Sequence, residues 1–209
     1  IRAEIDRLID LKIPVVTVFT DCPDCARLAY VGLNNANAGR TAAYLFAQCL
    51  QGRSGAVLTT TSRRQFQGEE ARAQAFTAEM ARLCPEVTLH EASGGAGLAL
   101  ETATRITRAV HGLDHLLGVY SMGGANAAIL LTLVNAQLEP EFFIAHDLDR
   151  ENRSLLRQGR LAFVLHHDLR ADLDQAVQHI TAYHKLRPPV LKAGTADVQI
   201  ITPANCPYE

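Results

Sequence analysis

AVLTTTSRRQFQGEEARAQAFTAEMARLCP, residues 56–85, holds one complete strand-to-helix unit. AVLTT (56–60) is a short apolar and β-branched run of the kind that forms a buried strand. Further on the apolar positions change step. Ala73, Phe76, Met80 and Leu83 recur every three or four residues, which aligns them on one face of a helix. Pro85 ends that helix, because proline has no N–H for a further turn.

The same alternation runs outward in both directions. VVTVF (15–19), HLLGVY (115–120), FFIAH (142–146) and LAFVL (161–165) read as buried strands. Ala99, Ala103, Ile106 and Val110 step helically up to Gly112, and a further helix opens near Asp149 and closes at Gly159. The order β-α-β-α predicts an α/β protein with mostly parallel sheets. There is no internal repeat and no low-complexity tract.

Composition narrows the function. At 209 residues and 48% hydrophobic, the chain can bury a substantial core as one domain or two small ones. A net charge of -2 and a pI near 6.5 give no basic footprint for nucleic acid. No apolar run approaches the roughly 20 residues that span a bilayer, so no membrane partner is expected. IRAEIDRLID (1–10) is too charged for a signal peptide. The odd count of five cysteines, spread over a long chain, points to a reducing cytoplasm rather than a disulfide scaffold.

In α/β folds ligands sit beyond the carboxyl ends of the strands. Here those positions are Thr20 and Asp21, Thr61 to Arg64, Ser121 to Asn126, Asp147, and His166 to Asp168. Ser121, Asp147 and His167 fall in the serine, acid, histidine order of an α/β-hydrolase, and YSMGG lies between a strand and a helix. The nucleophile elbow, however, needs a small residue two before the serine, where this chain has Val119, and no Gly-rich oxyanion loop precedes it. Cys22 and Cys25 lack a second pair to complete a zinc site, and a strand-like run follows them rather than a helix. No metal or other cofactor is expected. They read as two free thiols in a loop.

IPVVTVFTD (13–21) followed by YVGLNNANAGRTAAYLF (30–46) resembles the ligand-binding domain of the lactose and galactose repressor family. The resemblance continues in FQGEEARAQAF (66–76), GVYSMGGANAAI (118–129), FIAHDLDRENRSLLRQGRLAFVLHHD (143–168) and VQIITP (198–203), in the family's order. It implies a type I periplasmic-binding-protein-like fold: two Rossmann-like α/β lobes joined by three crossovers, closing on a small ligand. Residues 1–53 would end the first lobe, 54–166 would form the second, 167–189 would return to the first, and 190–209 would close on the second. The DNA-binding head and the opening of the first lobe have no counterpart, and Ile1 in place of methionine reads as a start partway through a longer gene product.

The resemblance also implies a function and a site. The function is that of a sensing domain of a bacterial transcriptional regulator, homodimeric and cytoplasmic. It would bind a sugar or polyol effector and contact operator DNA through the missing region; it would not be an enzyme. Arg72 matches the arginine of the family's Arg-x-x-Gly-Phe element, and Asp147 the aspartate that takes two sugar hydroxyls. Each has a plainer alternative, Arg72 as a solvated charge beside Glu69 and Glu70, and Asp147 as a helix cap. His167 stands where the family often has glutamine, and Asp21 lies near the first-lobe polar contact. Ser121 and Asn126 flank the column of a family asparagine, and Asn35 either joins the site or caps the helix from Ala38 to Leu50. A periplasmic sugar-binding protein of a transport system shares these features.

Overall fold

The computed structural model describes residues 1–63, 66–190 and 194–207, so Arg64 lies outside the described residues. The elements are α1 (Arg2–Asp10), β1 (Val16–Val18), β2 (Ala29–Val31), α2 (Asn35–Leu50), β3 (Gly55–Thr61), α3 (Gln67–Leu83), β4 (Val87–Ser93), α4 (Ala99–Ala109), β5 (Gly118–Ser121), α5 (Asn126–Asn135), β6 (Phe142–His146), α6 (Arg150–Arg157), β7 (Phe163–His166), α7 (Leu169–Tyr183) and β8 (Gln199–Ile201). They form two compact units, residues 1–34 with 167–197, and 35–166 with 198–209.

The first unit is small. β1 and β2 pair in parallel, Val16 opposite Ala29 and Val18 opposite Val31, with α7 packed on both. Leu33 extends the pairing to Ala196.

The second unit is a six-stranded sheet in the order β4-β3-β5-β6-β7-β8, parallel except for β8, which runs antiparallel to β7 with Ile201 opposite Val164. Successive side chains of a strand point to opposite faces, so a sheet covered on both sides needs apolar residues at every position. That is what these runs supply. Leu58, Val119, Phe143, Ala145 and Val164 pack on one face with Ile106 of α4, Ile129 and Leu133 of α5 and Leu156 of α6. Val57, Tyr120, Ile144 and Leu165 face the other way, onto Phe46 of α2 and Phe76 and Met80 of α3.

The boundary expected near residue 53 therefore falls at Asn34, since α2 belongs to the second unit. The reason is local. α2 lies so close to α3 that a Cβ on Gly39 would come within 2.3 Å of the Arg72 carbonyl oxygen, and Ala42, Ala43, Phe46 and Leu50 are buried on this side of the sheet. Two elements also escaped the sequence reading. β4 is an edge strand, VTLHEAS, whose half-polar surface lacks the apolar run that marks a covered strand. α1 buries only Ile5 and keeps its charges outside.

Candidate ligand-binding site

The carboxyl ends of the second unit's strands are held by short polar contacts. After β3, Glu69 of α3 accepts the Ser62 N–H at 2.6 Å and the Ser62 hydroxyl at 2.5 Å, which pins the loop to its helix. Thr61 donates to Ser93 at 2.9 Å, tying the ends of β3 and β4. The turn after β5 approaches closely as well. A Cβ on Gly123 would sit 2.2 Å from the Ser62 nitrogen, so only glycine fits there.

Arg72 lies at the centre of this end. It is 8% exposed, its Nε donates to Asn35 Oδ1 at 2.7 Å and its Nη1 to the Met122 carbonyl at 3.5 Å. α2, α3 and the turn after β5 thus meet on one guanidinium. No carboxylate among the described residues pairs with it. Glu69 is committed to Ser62, and Glu70 accepts from Gln74 at 2.7 Å. The reading of Arg72 as a solvated charge is thereby replaced. An open hollow along the same helix is lined by Thr59, Thr61, Ala73, Thr77, Glu91 and Met122.

Asp147 follows β6 in the left-handed region, at φ 65. Its N–H donates to the Leu165 carbonyl at 2.9 Å, and its own carbonyl accepts from Asn152 at 2.7 Å. It is not the helix cap. Asp149 is, accepting the Asn152 N–H at 2.7 Å. A non-glycine residue held at positive φ costs free energy and persists only where its surroundings impose it, a pattern frequent at ligand clamps.

Asn152 is the residue that sequence reasoning missed. It is 2% exposed, donates also to the His146 carbonyl at 2.8 Å, and accepts from Asn126 at 2.6 Å. Asn126 is therefore packed against α6 inside the unit, and its Oδ1 has no hydrogen-bond partner among the described residues. The Ser121 hydroxyl, 1% exposed, likewise has none. Nearby, the Tyr120 hydroxyl and His146 Nε2 lie 2.7 Å apart in the core, and burial pushes the Tyr120 hydroxyl well above the usual phenol range.

In the first unit, Asp21 is committed to its own loop. Its carboxylate accepts from Thr17 at 2.9 Å, from the Cys22 N–H at 2.7 Å and from Arg27 at 2.8 Å. A carboxylate so engaged shapes a loop rather than waiting for a ligand. His167 is 3% exposed, bonded through Nδ1 to Asp172 at 2.5 Å, and Phe19 packs edge-on at 5.9 Å. The acid bonded to His167 within the first unit is Asp172. Asp168 caps α7, accepting from the N–H groups of Arg170 and Ala171 at 3.0 Å.

Among the described residues no helix is long and apolar enough to cross a membrane. No curated protein matches the sequence. Among solved structures, a glucose-galactose binding protein, GanP, from Geobacillus stearothermophilus superposes with a TM-score of 0.85 at 18% identity, over 99% of this chain and 75% of its own. An ABC transporter solute binding protein from Burkholderia graminis, in complex with D-arabinose, gives 0.83 at 20% identity, over 98% and 72%. A Bacteroides fragilis protein provisionally assigned as a LacI transcriptional regulator gives 0.82 at 17% identity, over 97% and 71%. At these identities the likeness is one of fold. The sequence itself matches the model of the periplasmic binding protein domain over residues 1–184, and the chain belongs to that family.

Proposed function

We propose that the chain is the sugar-sensing domain of a bacterial transcriptional regulator of the lactose repressor family, with Arg72 as the principal contact to the ligand. The observation that carries the binding reading is the Arg72 guanidinium, buried at the carboxyl ends of the strands without a carboxylate among the described residues. A buried cation is costly unless acceptors surround it, and a guanidinium offers five N–H donors in a planar fork. Asn35 and the Met122 carbonyl occupy two of them. The vicinal hydroxyls of a monosaccharide or polyol suit the remainder, and a wrong ligand leaves them unpaired.

Asp147 is the second contact, its carboxylate placed by the strained backbone that Asn152 holds. Ser121 and His167 are further candidates, Ser121 for its unpartnered hydroxyl. Asn126 is turned toward Asn152 and Asp21 toward Arg27, so we assign both to structure. The assembly reading is of a cytoplasmic homodimer whose ligand shifts the balance between conformations by its differential affinity for them.

Thermal denaturation with a panel of pentoses, hexoses and polyols tests the binding reading. A cognate ligand at about 100 times its Kd adds about 2.7 kcal/mol of stability, and a panel in which nothing raises Tm overturns a monosaccharide or polyol as the ligand. The regulatory reading predicts that the full gene product retards operator DNA and that the same sugar alters the retardation. A full gene product that binds the sugar but does not retard DNA would favour the second reading, a sugar-binding component of a transport system, which the likeness to an ABC transporter solute binding protein supports.

A further inference from the structure

CPDC (22–25) takes no part in the ligand contacts proposed above. Its two cysteines stand at the ends of a tight turn, in which the Cys25 N–H donates to the Cys22 carbonyl at 3.3 Å across Pro23 and Asp24. Proline suits the first corner of such a turn, whose end Cα atoms lie within about 7 Å. A disulfide needs about 4.4–6.8 Å, so the turn already sets the required spacing. The thiols are also brought together. Cys25 Sγ donates to the Cys22 carbonyl at 2.8 Å, and burial, reinforced by contact with the Cys25 thiol, pushes the Cys22 thiol above its ordinary value.

The turn is anchored where it leaves β1. Asp21 accepts the Cys22 N–H and pairs with Arg27, whose Nη1 in turn donates to the Pro23 carbonyl at 3.1 Å. Both thiols are half-buried and unbridged, and so within reach of a small oxidant, whereas Cys84 and Cys206 are buried.

We propose that Cys22 and Cys25 form a redox-active dithiol site, converted to an intra-turn disulfide by low-molecular-weight disulfides such as glutathione disulfide. One thiol loses its proton to solvent and its sulfur attacks the oxidant's S–S bond, releasing one glutathione and leaving a mixed disulfide. The second cysteine, deprotonated in turn, attacks the protein sulfur of that intermediate and expels the second glutathione. The protein loses two protons and two electrons, and glutathione disulfide, taking up both, becomes two glutathione molecules. Because the thiolate is the nucleophile and the Cys22 thiol is pushed up, the exchange accelerates as pH rises above neutrality.

The site is independent of the sugar reading and is tested on the whole chain. The protein is equilibrated with glutathione and glutathione disulfide, quenched in acid, alkylated and digested with trypsin. Residues 13–27 form one tryptic peptide that contains both cysteines and no other. The expected product is that peptide about 2 Da lighter than the dithiol, unalkylated, and restored by dithiothreitol. Cys22→Ser and Cys25→Ser should each abolish it and leave a glutathione adduct on the remaining cysteine. Recovery of the peptide with two alkyl groups in about a tenfold excess of glutathione disulfide, or with glutathione adducts alone, overturns the proposal.

Discussion

Tyr120 shows how one residue can be apolar in the sequence pattern and polar in its bonding. Its ring packs against Phe76 at 4.5 Å and Phe46 at 6.5 Å, while its hydroxyl meets His146 inside the core. Tyr120→Phe keeps the packing and removes the hydrogen bond to His146, an expected loss of about 0.5–1.5 kcal/mol in denaturant unfolding. The pH dependence has a defined sign. Burial raises the folded-state pKa of Tyr120, so its neutral form is favoured by folding and its contribution is fully present below about pH 10, the unfolded value. As pH rises further the unfolded chain ionises first and stability falls. Tyr120→Phe should lack this component, and an equally steep decline in both proteins would refute it. At the same scale, Arg72 was named as a ligand contact from a local motif resemblance, and its burial was not legible there. That it pairs with Asn35 was hidden as well, because 37 positions separate them and only the packing of α2 on α3 joins them. Asn152 was hidden for a similar reason, as nothing in RENRSLLR marks one buried amide serving α5 and two backbone carbonyls.

At the scale of elements, periodicity identified strands covered on both faces and helices with regular apolar stripes. It failed at the edge, where β4 mixes polar and apolar positions, and at α1, whose charges mask one short stripe. Unit membership was illegible for α2, because a helix can pack on the sheet before it or the one after it in the chain. Gly39 decides the matter, since its missing side chain lets α2 approach the backbone of α3 at Arg72 and Phe76. Gly39→Ala must force these backbones apart. The expected cost is about 1–3 kcal/mol, read as a lower denaturation midpoint. Because the same crossing positions Asn35 against Arg72, the variant should also bind its sugar more weakly. An alanine that leaves both stability and affinity at parental levels would show that the crossing is looser than described here.

For the whole molecule, the α/β architecture follows from the chain's alternation of runs and from its match to the periplasmic binding protein domain. A shared fold does not itself fix function, since the similar structures include both an ABC transporter solute binding protein and a protein provisionally assigned as a LacI transcriptional regulator. The proposed function rests on the proposed site, and that site rests on a buried arginine with two acceptors seen among the described residues. The central claim is therefore tested most directly by calorimetric titration of the parent, Arg72→Ala and Arg72→Lys with the sugar that most stabilises the parent. Alanine is expected to weaken binding by about tenfold to a hundredfold, the loss of charge-assisted hydrogen bonds worth about 1.5–3 kcal/mol, and lysine, without the planar fork, to restore only part of it. Parental affinity in folded Arg72→Ala would contradict the claim.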